Sequence, residues 1–107
     1  MEKFYDSRNR LRGYVDDNTI YDTDYNVLGY TDGSVLYNEY GSPVAYLDNR
    51  YVYMIDGTPI GYYRGSRLYD MSGNYLGYGN FGFFGLLGAS LGLLLLGGLL
   101  FRPIWWW

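Results

Sequence analysis

Apolar and tyrosine positions recur along the first 80 residues with a period that suits neither a helix nor a single long strand. Tyr5, Tyr21, Tyr37, Tyr53 and Tyr69 stand sixteen residues apart, each preceded by an apolar residue: Phe4, Ile20, Leu36, Val52 and Leu68. A second series, Tyr14, Tyr30, Tyr46, Tyr62 and Tyr78, keeps the same spacing behind Gly13, Gly29, Ala45, Gly61 and Gly77. Leu28, Val44, Ile60 and Leu76 form a third series, with Arg12 in the opening unit. The chain thus divides into five ungapped units: 4–19, 20–35, 36–51, 52–67 and 68–83. A repeat this short cannot bury its apolar side alone and must pack on its neighbours.

Each unit reads as two short strands. Tyr40-Gly41, Asp56-Gly57 and Ser72-Gly73 mark one turn, and Asp32-Gly33, Asp48-Asn49 and Arg64-Gly65 mark the other. Gly, Asn and Asp tolerate the left-handed backbone that tight hairpins need. Strict alternation along a strand puts Leu28 and Tyr30 on one face and Gly29 on the other. Pairing Ile20 with Tyr30, and Tyr30 with Leu36, predicts a core of Ile20, Leu28, Tyr30 and Leu36 in every unit. Tyr21 then covers Gly29 on the outer face. Phe4-Tyr5-Asp6 is a lone first strand and Leu76-Gly77-Tyr78 a lone second strand, so pairing the two would close a ring and remove its edges.

The best unit, Leu68-Tyr69-Asp70-Met71-Ser72-Gly73-Asn74-Tyr75-Leu76-Gly77-Tyr78, resembles the repeats of the small bacterial four-fold β-flower proteins. The resemblance covers roughly residues 4–80. It implies a compact all-β domain of radial hairpins, and it implies no activity and no functional residues. The same run also resembles the YD repeats of large secreted shell proteins, whose units are longer.

From Phe81 to Phe101 the pattern changes to FGFFGLLGASLGLLLLGGLLF, uncharged, with the Ser90 hydroxyl as its one polar side chain. A helix of this length matches a hydrocarbon core of about 30 Å. Arg102 and the interfacial indoles Trp105, Trp106 and Trp107 suit the far headgroups. The expected architecture is therefore all-β: a closed ring, flower or small barrel of sixteen-residue antiparallel hairpin repeats in residues 1–80, followed by a C-terminal transmembrane α-helix at 81–101 and an interfacial tail at 102–107. No apolar h-region opens the chain, which predicts tail-anchored insertion with the N-terminal domain in the cytoplasm, at a bacterial inner membrane. Gly85, Gly88, Ala89 and Gly92 share one helical face, the small-residue spacing that lets helices touch in lipid, and predict a homo-oligomer.

Composition narrows the chemistry. Cysteine and histidine are absent, which removes thiolates, the usual neutral-pH base and the commonest metal ligand. Residues 1–80 hold eleven acidic and seven basic side chains, a poor balance for nucleic acid. Lys3, Arg8, Arg10 and Arg12 crowd the start, where a solvated edge is the plainer reading and contact with anionic headgroups the sharper one. Asp6, Asp22 and Asp70 form one column and Asp16, Asp32 and Asp48 another, but both border turns, where Asp bonds its own backbone. No phosphate loop or paired nucleophile is present. No enzyme, cofactor or metal is expected. Tyr30, Tyr46, Tyr62 and Tyr78 are read as structural. Tyr21, Tyr37, Tyr53 and Tyr69 are the candidate contacts to a protein partner or small ligand, since Tyr gives a stiff amphipathic surface. The expected function is a membrane-anchored binding and assembly protein. The alternative is a membrane-disrupting or pore-forming effector with a cytoplasmic β sensor domain.

Overall fold

The computed structural model describes residues 2–79. Ten strands follow one another: β1 (Glu2–Asp6), β2 (Leu11–Asp16), β3 (Thr19–Tyr21), β4 (Val27–Thr31), β5 (Val35–Asn38), β6 (Pro43–Asp48), β7 (Tyr51–Met54), β8 (Pro59–Arg64), β9 (Arg67–Asp70) and β10 (Tyr75–Gly79). Each pairs antiparallel with the next, and β10 returns to β1 through Phe4↔Gly79, Tyr5↔Tyr78 and Asp6↔Gly77. The lone first and last strands thus close a barrel of five hairpin units, so no strand edge is left open.

Two kinds of turn alternate around it. At one end, Asp17 and Asn18, and likewise Asn49 and Arg50, are both left-handed, as a two-residue type I′ hairpin requires. At the other end longer loops repeat one hydrogen-bond pattern: the N–H of Asp6, Asp22, Asn38, Met54 and Asp70 each donates to the carbonyl four residues on, at 2.8–2.9 Å. A carboxylate or amide at the loop start then accepts the free N–H groups within the loop. Asp6 Oδ1 takes those of Arg8 and Arg10, Asp22 Oδ1 those of Asp24 and Asn26, and Asp70 Oδ1 those of Ser72 and Asn74. Where Met54 cannot do this, Asp56 Oδ1 accepts from Thr58 instead. The column Asp6, Asp22 and Asp70 is therefore turn chemistry.

The interior is built by size. Phe4, Ile20, Leu36, Val52 and Leu68 are fully buried in one cluster with Val15, Ala45 and Tyr63. Each of the five lies directly across from a residue with at most a methyl group: Gly13, Gly29, Ala45, Gly61 and Gly77. A narrow barrel fills this way, large opposite small, because two large side chains at one level would collide.

The register differs from the expected one. Ile20 faces Gly29, not Tyr30, and Tyr30 faces Tyr37, not Leu36. In every unit the register shifts at the same place, so that Ile20↔Gly29 is followed by Tyr21↔Val27 and Leu28 is left over. Arg12, Val44, Ile60 and Leu76 are the extra residues of the other four bulges. A bulge breaks the strict alternation from which the face of Tyr30 was inferred. Leu28, Val44, Ile60 and Leu76 remain partly buried against the core, as expected for that series. Tyr30, Tyr46, Tyr62 and Tyr78 move to the outer wall, and the glycines turn inward.

No helix among the described residues is long and apolar enough to cross a membrane. The expected span 81–101, the stripe Gly85, Gly88, Ala89 and Gly92, and the tail Arg102, Trp105, Trp106 and Trp107 lie outside the described residues.

Candidate functional site

Three surfaces bear on function: the outer wall and the two rims. On the wall, the candidate contacts Tyr21, Tyr37, Tyr53 and Tyr69 are half-buried, and each lies across from a second-series tyrosine: Tyr14, Tyr30, Tyr46 and Tyr62. Tyr5 and Tyr78 complete the set across the closing strands. Rings stack at 5.1 Å in Tyr46–Tyr53 and Tyr5–Tyr78, and at 5.4 Å in Tyr62–Tyr69. Tyr51 links Tyr53 to Tyr62, and Tyr75 extends the run beyond Tyr69 under the Arg67 guanidinium. Half the barrel is thus clad in one continuous tyrosine sheet, each stacked pair adding about 0.5–1.5 kcal/mol beyond its buried area. Tyr14 stacks on Tyr25 instead, at 4.9 Å.

The phenols stay protonated where their environment is perturbed. Desolvation, then the hydroxyl of Tyr25, raises Tyr14 above the ordinary tyrosine range. Desolvation and the Asp32 carboxylate, to which Tyr37 donates at 3.3 Å, raise Tyr37. Desolvation also raises Tyr75. An open groove of about 570 Å³ runs beside Tyr37, between Val35, Pro43, Tyr46 and Ile55.

The long-turn rim was not singled out by the sequence. Tyr25, Tyr40, Ile55 and Met71 sit on four successive long loops and are exposed at 57%, 84%, 52% and 46%. They form an apolar crown at one end of the barrel. Tyr25 even holds φ 66°, where the corresponding loops carry Gly41, Gly57 and Gly73. The fifth loop differs: Asp6, only 7% exposed, pairs with Arg10 at 2.9 Å and Arg12 at 3.6 Å. Desolvation would raise Asp6, but the N–H groups of Arg10 and Arg8 and the Arg10 side chain outweigh it and lower its pKa. A depression of about 360 Å³ lies beside this cluster, between Leu11, Arg12 and Asp22.

The short-turn rim carries charge. Strand ends place Lys3 here, whereas Arg8 and Arg10 lie on the long loop at the opposite end, so the basic crowd at the start of the chain is split between the rims. Among the described residues no group of three or more acidic side chains is placed to hold a metal ion.

These features define a class: a closed up-and-down barrel of ten strands, built from five sixteen-residue hairpin units with one bulge each. The chain belongs to the family described as 5-fold beta-flower protein, whose model matches residues 1–83. The resemblance to four-fold relatives is thereby corrected in its symmetry, and the five interior residues from Phe4 to Leu68 show why: five units are needed to close this ring. No curated protein and no solved structure matches the chain significantly.

Proposed function

We propose that this chain is a non-enzymatic, membrane-anchored binding protein whose β-flower domain presents its long-turn crown to a protein partner. Residues 81–101 supply the anchor, supported by their length, their lack of charge and the flanking Arg102 and tryptophans. Copies associate through Gly85, Gly88, Ala89 and Gly92. The N-terminal domain lies on the cytoplasmic side, with Arg64 and Arg67 near the span.

The observation that carries the binding role is the crown itself. Loop tips normally take polar residues, since nothing there is gained by exposing apolar surface. Three successive tips carrying Tyr40, Ile55 and Met71, beside a Tyr25 that stacks back on Tyr14, are better accounted for as a contact surface than as a requirement of folding. Tyrosines of the wall, Tyr37 foremost beside its groove, would extend that contact.

The test is capture from native membranes in mild detergent, with the full chain against Y40S/I55S. The reading expects one defined protein with the parent chain and its loss with the variant, at an unchanged melting midpoint. Equal capture by both contradicts it. Collapse of membrane potential on expression, absent in the variant, would favour the effector reading instead. For assembly, Gly88→Ile should reduce cross-linked oligomer more than Gly97→Ile, which lies off the stripe.

A further inference from the structure

The short-turn rim distributes its charge in two arcs. Asp16 and Asp17 mark the β2–β3 turn, Asp32 the β4–β5 turn and Asp48 the start of the β6–β7 turn. From Arg50 onward the sign changes: Arg64 and Arg67 flank the β8–β9 turn, and Lys3 stands near the start of β1. All of these side chains are exposed. One acid, Glu2, shares the basic arc, and its Oε1 is buried.

The β8–β9 turn has an unusual feature. Arg64 and Arg67 are direct cross-strand partners, whereas the same register elsewhere holds Asp16 with Thr19 and Asp48 with Tyr51. Like charges directly opposite repel, and among the described residues neither arginine forms an ion pair. Arg67 leans over the Tyr75 ring at 5.6 Å, a cation–π contact that supplies no net countercharge. Two exposed arginines at directly opposed strand positions, neither in an ion pair with a carboxylate among the described residues, are a ready site for a phosphate.

The fold also fixes what this turn lies beside. Strand β10 leaves the barrel at the short-turn rim, and the Gly79 N–H donates to the Ser66 carbonyl, in the β8–β9 turn itself, at 3.3 Å. Only Asn80 separates Gly79 from Phe81, a reach of about 7 Å. That is within a Debye length at physiological salt.

We infer that the basic arc, with the Arg64–Arg67 pair at its centre, binds the phosphates of anionic phospholipid headgroups and tilts the barrel so that its acidic arc lifts away from the bilayer. The inference rests on the reading of residues 81–101 as a membrane anchor. It assigns the short-turn rim to the membrane and leaves the crown pointing away from it. Each arginine at an anionic surface is worth about a five-fold change in the tilted population.

The chain has no cysteine, so one introduced residue gives a unique label. Ser66→Cys and Ser34→Cys occupy the same repeat position two units apart, one in each arc. Each labelled full chain is reconstituted in phosphatidylcholine vesicles with and without about a third phosphatidylserine, with a quencher on the headgroups. The expected result is several-fold stronger quenching at position 66 than at 34 with phosphatidylserine. The difference should shrink in its absence, and in R64Q/R67Q, which keeps hydrogen-bonding side chains at both positions. Equal quenching at the two positions, or a difference indifferent to R64Q/R67Q, overturns the inference. Abolition by millimolar inorganic phosphate at constant ionic strength overturns the headgroup assignment in favour of a soluble anion. Failure to float with vesicles at all overturns the anchor reading, and this inference with it.

Discussion

The two rims are the opposite ends of the same ten strands, and they solve the turn problem in opposite ways. At the short-turn rim the hairpins are tight, and left-handed Asp17, Asn18, Asn49 and Arg50 carry the chain round. What varies there is charge. At the long-turn rim the backbone pattern repeats almost without change, with one N–H to carbonyl bond spanning each loop. What varies there is the tip: Arg8 on the first loop, then Tyr25, Tyr40, Ile55 and Met71. A self-capped loop holds its shape through its own backbone and a side chain of its own, so its tip is free to vary, even where Tyr25 packs back on Tyr14. A tight turn has no such spare position, and its divergence falls on flanking charges instead.

That contrast can be broken first at the caps. Asp6→Ala should cost about 2–4 kcal/mol, because it removes two backbone caps and the part-buried carboxylate that Arg10 and Arg12 both pair with. The equivalent Asp70→Ala, at an exposed loop with no cation, should cost only about 1 kcal/mol. Urea unfolding with an unchanged slope distinguishes the two. Equal losses would mean that the buried ion pair adds nothing.

Acid should act through the same caps. Asp6, Asp32, Asp56 and Asp70 are all held below the ordinary carboxylate range, chiefly by backbone or side-chain donors of their own turns. A depressed pKa in the folded state gives stability that is complete above the unfolded pKa, about 3.9, and is lost as pH falls through the folded value. Glu2 has the opposite sign: desolvation raises it, so its contribution is complete in acid and fades as pH rises through its folded pKa. With four carboxylates against one, the melting midpoint should fall below about pH 4, and Asp6→Ala should flatten that fall.

A smaller effect sharpens the short-turn side. Arg50 sits at φ 72° where the first such turn has Asn18 at φ 68°. Arg50→Asn should therefore stabilise the barrel by about 0.5–1 kcal/mol, read by denaturant midpoint, since Asn enters the left-handed region at less cost. The smallest effect is expected at the crown. Tyr40→Ser should change stability by no more than about 0.5 kcal/mol, because the side chain is 84% exposed and its removal empties nothing. A larger loss would make the crown part of the fold.

Much of this was legible in the chain. Two tyrosine series sixteen apart, each with its own preceding residue, define the unit and the closing pair, while whether four or five units close the ring is settled only by the fold and the family match. Turn chemistry was legible too, because Gly41, Gly57, Gly73, Gly33 and Gly65 all take the left-handed backbone that their neighbours imply. The register was not. Alternation carried through Leu28-Gly29-Tyr30 assumes an unbroken ladder, and a bulge is invisible to residue counting. Ala45 held a clue: the one exception in the glycine series is again small and apolar, as an interior position requires and an outward one does not. The residues after the second tyrosines, Val15, Thr31, Leu47 and Tyr63, gave another, since all but Leu47 are fully buried. The crown escaped because apolar residues at three different loop positions have no common spacing, and only the folded loops bring them to one end.

In the proposed arrangement one rim of the barrel faces the bilayer and the other faces solvent. A photo-cross-linking residue placed at Tyr40, and separately at Ser66, in the full chain within native membranes tests this directly. Lipid adducts are expected at position 66 and none at position 40. Lipid adducts at position 40 with none at position 66 would contradict this arrangement.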